Sequence, residues 1–534
     1  MPVIQARRPA APAQGVAPRP TAGGLDLRLA VLLVVGVHLL CAGASIRYGA
    51  LNPDEGFYAV ATRAVAQGEV PYRDFGFTQP PLLLYVNSLP LRLAGYGLFA
   101  QRSINGLWAA IALGLAALWL GRRTRPSWGL VLVLGFSLCA PWMYFIHLGK
   151  TYGLTTLLAM LQSAIFLALP GGPRRSCLIG LLGALGIATR LPAAPFFGVL
   201  GLAALWPEGR PAGRNLLALL GGGAAGLATA LLPAVLADPE NARFWMIDFH
   251  RVSVANKTWH LAWQEIATLA PAVWLFGAVA VAVVLRHRRA ASREVFVFVA
   301  AAVALAVNLL AGGVYEEYAV PFLPPLAIVA AAWVHDGLGE ARLAVRAALL
   351  VALAAVQFGT APLLLRGDFP ERRGTLSSLL TPNAPRYDPA LPAELAAARL
   401  LLDRALAPDA PLVGTNLILA TETHRPVPAE LRMGPFAYTG EMSAERAARL
   451  HLATRAQLDR WFERPDTTAV VLFHTWDLNY GWSLPSYERT AADAHAHWFA
   501  VLRRDYNVVL TAGQFVLLAR KPPADPAGAP PKTK

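Results

Sequence analysis

A series of long apolar runs in the first two thirds of the chain constrains the fold more than any other feature. A helix needs about 20 mostly apolar residues to cross a bilayer. Candidate spans of this kind are Leu27–Ile46, Gln101–Leu120, Trp128–His147, Thr151–Leu169, Arg214–Ala237, Glu265–Leu285, Val295–Val314, Tyr318–His335 and Ala341–Pro362. With 55% hydrophobic residues, 15% charged residues and a mean hydropathy of +0.44, these runs predict a polytopic α-helical membrane protein.

The run Ser176–Trp206 is too long for one crossing, and we divide it at Arg190. The stretch Thr189–Pro192 interrupts it with a charge and with a proline, which cannot continue the hydrogen-bond ladder of a helix. The division gives about eleven spans and, with a cytoplasmic N-terminus, places the basic clusters on the cytoplasmic side. These clusters are Arg122–Arg125, Arg174-Arg175, Arg210/Arg214, Arg286–Arg293 and Arg342/Arg346. Because the net charge of +14 is spread over such loops, it does not indicate a nucleic-acid partner.

This topology predicts four regions: a disordered cytoplasmic tail (1–24), a membrane domain (25–365), a soluble α/β domain on the outer face (366–521) and a disordered tail (522–534). The first loop, residues 47–99, also lies on the outer face. Within it, prolines interrupt the apolar segment Leu82–Leu98, which predicts a juxtamembrane element instead of a span.

The composition after Arg366 is that of a globular domain. Amphipathic patterns predict helices near Leu391–Leu406 and Met442–Phe462, and alternating apolar residues predict strands. The strands are expected at Leu412–Thr415, Thr468–Phe473, Asn507–Thr511 and Gln514–Ala519.

The first loop contains an Asp-Glu pair in a capping-box pattern. Asn52 is a suitable N-cap, Pro53 a suitable first residue, and Glu55 follows the cap by three positions, which predicts a helix Pro53–Gln67. Asp54 shares a helix face with Tyr58, so its carboxylate is expected to face protein or a cavity. Glu55 is therefore the candidate for the cap and Asp54 the candidate for chemistry.

Basic side chains collect on the same predicted face. They are Arg102, Lys150, Arg190, His250, Arg251, Lys257 and His260. Each alone is typical of an interface anchor, but a charge at a helix break near the membrane usually has a cavity or a partner. An acid beside a cationic rim would suit a lipid phosphate or pyrophosphate.

Three segments carry a resemblance to a known family: "DEGFYAVATRAVAQGEVPYRDFGFTQPPLLLY", "RSINGLWAAIALGLAALWLGRR" and "YEEYAVPFLPPLAIVAA". With them the membrane portion resembles the GT-C membrane glycosyltransferases of family 39 type, related to protein O-mannosyltransferases and aminoarabinose–lipid A transferases. The resemblance implies transfer of a sugar from a polyprenyl-phosphate donor to a lipid, glycan or protein acceptor, in the plasma (inner) membrane. It implies Asp54 as the base. Relatives often have His-Tyr where this chain has Glu317-Tyr318, so the role of Glu317 stays open.

The chemistry agrees with these residue types. Phosphate is a good leaving group, so one carboxylate that takes the proton of the acceptor hydroxyl, with cations for the phosphate, is sufficient and predicts inversion. Asp54 is the predicted catalytic residue. The predicted substrate-binding residues are Glu55, Tyr58, Asp74, Arg102, Lys150, Arg190, His250, Arg251, Lys257, Glu317 and Tyr318. No metal site or other cofactor is predicted, although an Asp-Glu pair with a pyrophosphate could hold a divalent cation.

Two other functions remain open. Cations and acids in a helix bundle also suit a transporter or flippase of an anionic or lipid-linked precursor. The chain could also be a non-catalytic envelope assembly protein that binds through its outer domain. In that domain Trp476, Tyr480 and Trp482 either stack on a sugar or pack in the core.

Overall fold

The computed structural model describes residues 26–52, 54–138, 140–206, 212–250, 293–312, 316–338, 388–414, 417–438, 442–464, 469–473, 497–498, 500–512 and 515–521. The predicted spans Glu265–Leu285 and Ala341–Pro362 and the aromatic residues Trp476, Tyr480 and Trp482 lie outside these ranges.

Helices account for most of the described residues in the first part of the chain. Its helices are α1 (Leu27–Tyr48), α2 (Asp54–Ala66), α3 (Leu82–Ala94), α4 (Leu98–Arg123), α5 (Pro126–Leu138), α6 (Ala140–His147), α7 (Tyr152–Ala168), α8 (Pro173–Ile187), α9 (Ala194–Ala204), α10 (Ala212–Ala230), α11 (Leu232–Ala237), α12 (Pro239–Arg243), α13 (Arg293–Gly312) and α14 (Leu323–Leu338). Among the residues that the structure describes, two segments, Val31–Tyr48 and Leu98–Arg123, meet both the length and the hydropathy expected of a membrane span.

Proline accounts for the breaks between several helices. The division predicted at Arg190 is confirmed, since α8 ends at Ile187 and a short 3₁₀ turn, Leu191–Ala193, precedes α9. The predicted span Trp128–His147 corresponds to α5 and α6, which lie on either side of Cys139, a residue outside the described ranges. Pro233 is the second residue of α11, and the predicted span Arg214–Ala237 is divided into α10 and α11.

Helices α8 and α10 pack closely because glycines line their contact. A Cβ atom on Gly180 would collide with the carbonyl oxygen of Leu219, and one on Gly222 would collide with that of Cys177. Small residues of this kind let two backbones approach, which is a common basis for helix association in membranes.

The last part of the chain contains a four-stranded sheet in the order β1-β2-β4-β3. Its strands are β1 (Val413–Gly414), β2 (Ala469–Phe473), β3 (Tyr506–Ala512) and β4 (Phe515–Arg520). β1 is parallel to β2, and the other pairs are antiparallel. All four strands fall where the sequence predicts them.

Helices among the described residues of this part include α15 (Leu391–Ala405), α16 (Ile418–Glu422), α17 (Ala444–Arg449) and α18 (Arg455–Glu463). The single helix predicted near Met442–Phe462 is thus two helices. His451 adopts a left-handed backbone conformation after α17, and a capping box at Thr454 starts α18.

We call the described residues between 388 and 521, which include the sheet, the sheet domain. This domain packs directly on the first loop (47–99). Arg63 of α2 donates to the carbonyl oxygens of Ala420 at 2.9 Å and Arg425 at 2.7 Å. The backbone N–H of Leu98 donates to Glu422 Oε1 at 2.6 Å. A continuous hydrophobic core joins residues of α2 with residues of the sheet. The position of α2 is therefore coupled to that of the sheet domain.

Replacing Gly56 with alanine is expected to weaken this contact. The new Cβ would lie 2.8 Å from the backbone nitrogen of Ile418, so α2 and the start of α16 would have to separate. Such overpacking typically costs about 1–3 kcal/mol. The measurement is the free energy of unfolding, together with the rate at which protease releases the sheet domain.

Gly198→Ala is the matched control for this substitution. Gly198 lies inside α9, and nothing lies within 4 Å of the Cβ position. Alanine is the better helix former by about 1 kcal/mol, so this variant should be at least as stable as the native chain. Equal stability of the two alanine variants would contradict the close contact at Gly56.

Candidate active site

The first turn of α2 brings Asp54 to the turn between α6 and α7. Asp54 Oδ2 lies 2.7 Å from Lys150 Nζ, and Glu317 Oε1 lies 3.8 Å from the same nitrogen. The side chain of Asp54 is 26% exposed, whereas that of Lys150 is only 6% exposed. Lys150 therefore stands between two carboxylates, and Asp54 is the more accessible of them.

The surroundings keep Lys150 protonated. Burial lowers the pKa of its ammonium group, but Asp54, Tyr152 and Glu317 together outweigh burial and hold the pKa well above its ordinary value. Opposite charges at short distance favour the charged form. Lys150 is thus a fixed positive charge at neutral pH.

Arg190 enters the same place from the break between α8 and α9. Its side chain is buried, and Nη1 donates to Thr151 Oγ1 at 2.7 Å. The guanidinium carbon lies 3.9 Å from the ring centroid of Tyr318 and 4.6 Å from that of Tyr152. Nε has no hydrogen-bond partner among the described residues. The guanidinium is therefore stacked on two aromatic rings, and its buried Nε–H has no acceptor in the described part of the chain.

Tyr58 lies beside these groups, as the shared helix face with Asp54 predicts. Burial raises the pKa of the Tyr58 hydroxyl, and the nearby charges of Arg190 and Lys150 oppose the rise only in part. The phenol is consequently neutral at physiological pH. We call Asp54, Tyr58, Lys150, Arg190 and Glu317 the cation–carboxylate cluster.

Glu55 and Arg102 form a buried ion pair behind this cluster. Arg102 donates to Glu55 through Nε at 2.7 Å and Nη2 at 2.6 Å, and each side chain is 1% exposed. Arg102 also donates to the carbonyl oxygens of Ile46, Gly49 and Ala50. Nε, Nη1 and Nη2 of Arg102 thus all donate hydrogen bonds to groups of the protein.

The Glu55 carboxylate has two further partners. Oε2 accepts from the backbone N–H of Asn52 at 3.0 Å, which confirms the predicted cap, and Oε1 accepts from the N–H of Gly149 at 2.9 Å. The amide oxygen of Asn52 accepts from the N–H of Asp54 at 3.1 Å. Glu55 therefore joins the start of α2 to the turn that carries Lys150.

Asp74 and His250 occupy other positions. Asp74 accepts from the N–H of Val70 at 2.7 Å and pairs with Arg73, whose hydrogen bond lowers the pKa of the Asp74 carboxyl. His250 Nε2 lies 2.5 Å from the carbonyl oxygen of Thr78. Burial lowers the pKa of His250. Asp74 is thus engaged in its own turn, and His250 holds the segment after Phe77.

Two of the predicted site residues, Arg251 and Lys257, lie outside the described residues. Conversely, the sequence reading missed Thr151 and Tyr152, which hold Arg190. Their signal was their position directly after Lys150 in a tight turn. In the described part of the chain, no three His, Cys, Asp or Glu side chains are grouped so as to hold a metal ion.

Solved structures of ArnT share this fold. ArnT from Cupriavidus metallidurans bound to undecaprenyl phosphate aligns with a TM-score of 0.58 and 17% identity, over 92% of this chain and 97% of that one. Its apo form aligns over the same shares with a TM-score of 0.57 and 16% identity. The oligosaccharyltransferase AglB of Archaeoglobus fulgidus, with an inhibitory peptide and a dolichol-phosphate, gives a TM-score of 0.43 and 13% identity over 93% of this chain and 74% of that one.

The likeness to ArnT confirms the predicted polytopic helical membrane fold. At this identity it shows the fold alone. No protein-family model matches the sequence, and no curated protein sequence matches it.

Proposed function

We propose that the chain is an inverting glycosyltransferase that moves a sugar from a polyprenyl-phosphate donor to a cell-envelope acceptor, which is a lipid, a glycan or a protein. The observation that carries the proposal is the accessible Asp54 carboxylate 2.7 Å from the buried Lys150, with Arg190 beside it. The fold shared with ArnT, whose structure contains undecaprenyl phosphate, supports the same donor class.

In the proposed reaction the acceptor hydroxyl loses its proton to Asp54 as its oxygen attacks the anomeric carbon. The bond between that carbon and the phosphate oxygen breaks, and its electron pair leaves with the phosphate. Attack opposite to the leaving group inverts the anomeric centre. The products are the glycosylated acceptor, a polyprenyl phosphate and a protonated Asp54.

The cations would stabilise the negative charge that develops on the phosphate. Lys150 is a fixed charge, and the buried Nε–H of Arg190 has no hydrogen-bond partner among the residues that the structure describes. Phosphate binding at Lys150 would loosen its ion pair with Asp54 and leave that carboxylate available as a base. Glu55 and Arg102 act as positioning residues in this scheme, since both are buried and occupied by protein.

We also propose the predicted topology of about eleven spans with a cytoplasmic N-terminus and the sheet domain outside, because basic clusters favour the cytoplasm. The direct contact of Arg63 with the sheet domain supports a common side for that domain and the first loop. The exposed Leu89 and Leu93 of α3 suit a juxtamembrane helix in contact with lipid.

The test uses purified full-length protein in nanodiscs with a polyprenyl-phosphate sugar, acceptors extracted from the cell envelope, and mass spectrometry. We expect a new glycosylated product and one free polyprenyl phosphate for each product. If the lipid-linked sugar crosses vesicle membranes with no product formed, the chain is a transporter instead.

Arg190→Lys is expected to weaken binding of polyprenyl phosphate by about 10–100-fold. A hydrogen bond to a charged group contributes about 1.5–3 kcal/mol, and lysine cannot reproduce the planar fork or the ring stacking of arginine. Titration of polyprenyl phosphate into protein in nanodiscs measures the loss.

Arg504→Lys is the matched control, because Arg504 is exposed and pairs with its neighbour Asp505. It should bind polyprenyl phosphate like the native chain. Native affinity in the Arg190→Lys variant would remove Arg190 from the phosphate site.

A further inference from the structure

Polar side chains surround a tryptophan on one face of α18. Gln457, Arg460 and Trp461 follow the spacing i, i+3, i+4, which places them on one side of the helix, and Arg464 is the C-cap residue that follows it. The capping box at Thr454 fixes where this helix begins. Leu458 and Phe462 are buried in the core, so the polar face points away from it.

Trp461 is held in place by two contacts. Its Nε1–H donates to Glu430 Oε1 at 2.8 Å, and Glu430 belongs to the short 3₁₀ turn Ala429–Leu431. The guanidinium carbon of Arg464 lies 4.7 Å from the centroid of the indole ring. Part of the ring packs against the hydrophobic core. The indole therefore has a fixed orientation in its surroundings.

These residues line a cavity of about 470 Å³. Its lining consists of Glu430, Gln457, Arg460, Trp461, Glu463 and Arg464. Among the described lining residues, two carboxylates balance two guanidinium groups in charge. Small-molecule sites typically have volumes of about 300–1,000 Å³, so the cavity has the size of a ligand site.

We propose that this cavity, on the sheet domain and separate from the cation–carboxylate cluster, binds a neutral saccharide. Carboxylates and guanidinium groups accept from and donate to pairs of hydroxyls, and an aromatic ring packs against the C–H face of a sugar. The balanced charge of the lining selects against strongly anionic or cationic glycans. Saccharide binding at this cavity does not depend on the proposed function. The identification of the saccharide as part of the acceptor rests on it.

The experiment is saturation-transfer NMR on the full-length protein in nanodiscs. The probes are maltotriose, cellotriose and mannotriose, with trigalacturonate and a chitosan trimer as charged probes. We expect saturable binding of at least one neutral trisaccharide, stronger than that of either charged probe. Loss of aromatic packing and of hydrogen bonds in Trp461→Ala should weaken it about five-fold or more.

Two further variants keep the test decisive if Trp461→Ala disturbs the core. Arg460→Ala changes an exposed side chain and should also weaken binding, whereas Arg503→Ala, exposed elsewhere on the same domain, should not. Asp54→Asn should bind the saccharide normally, which separates this site from the transfer reaction. Absence of binding by the native chain, or equal binding by native, Arg460→Ala and Trp461→Ala proteins, would overturn the proposal.

Discussion

Asp54→Asn is expected to lower the rate of sugar transfer by about 10²–10⁴-fold, the contribution typical of a positioned general base. Asparagine has nearly the same shape, but its side chain cannot accept the proton of the acceptor hydroxyl. The hydrogen bond at the start of α2 joins the backbone N–H of Asp54 to the side-chain oxygen of Asn52. The Asp54 side chain takes no part in this bond, so the substitution leaves the start of α2 intact. The measurement is the turnover of donor to product in nanodiscs.

The binding of polyprenyl phosphate separates this loss from misfolding. Because Asp54→Asn removes a carboxylate that competes with the phosphate for Lys150, this variant should bind polyprenyl phosphate at least as tightly as the native chain. Asp409→Asn makes the same chemical change at an exposed position and should leave turnover unchanged. Near-native turnover in the Asp54→Asn variant would rule out Asp54 as the base.

The local part of this site is predictable from the sequence because neighbouring residues determine it. Asn52, Asp54 and Glu55 lie within one turn, so a capping pattern fixes the helix start, and the structure confirms it. The helix break at Arg190 is similarly local, because Pro192 ends the hydrogen-bond ladder.

Contacts between distant residues were not predictable in the same way. Arg102 was a predicted phosphate ligand, but its partner is Glu55, which lies 47 positions earlier in the chain. A charge at the start of a span fits a snorkelling residue, a ligand or a buried pair equally well. Only the packing of α2 against α4 distinguishes these alternatives.

The sheet domain gives the same lesson. Alternation of apolar residues predicts its strands, since that pattern is local, but not the contact of Arg63 with the carbonyl oxygen of Arg425, 362 positions away. No sequence pattern distinguishes Trp461 from an aromatic residue of the core. Its hydrogen-bond partner Glu430 lies 31 positions earlier in the chain, so only the folded structure shows the contact.

Arg102→Met is expected to lower the free energy of unfolding by about 3–5 kcal/mol, the usual cost of leaving one partner of a buried ion pair alone. The Glu55 carboxylate would lose both bonds from Arg102 while 1% exposed, and the carbonyl oxygens of Gly49 and Ala50 would lose their donor. Denaturant titration of the purified protein measures the change. Arg122→Met is the matched control, because Arg122 lies on the same helix and is exposed.

A double variant then separates the effect of the ion pair on stability from its effect on sugar transfer. Replacing Glu55 with glutamine in the Arg102→Met chain removes the unpaired charge, so part of the lost stability should return. The rate of sugar transfer should be below that of the native chain. The backbone N–H of Gly149, next to Lys150, donates to the side chain of residue 55, and this hydrogen bond is weaker when the acceptor is a neutral amide than when it is a carboxylate. Full recovery of both properties would mean that the ion pair has no part in positioning Lys150; no recovery of stability would place the loss in the backbone contacts of Arg102.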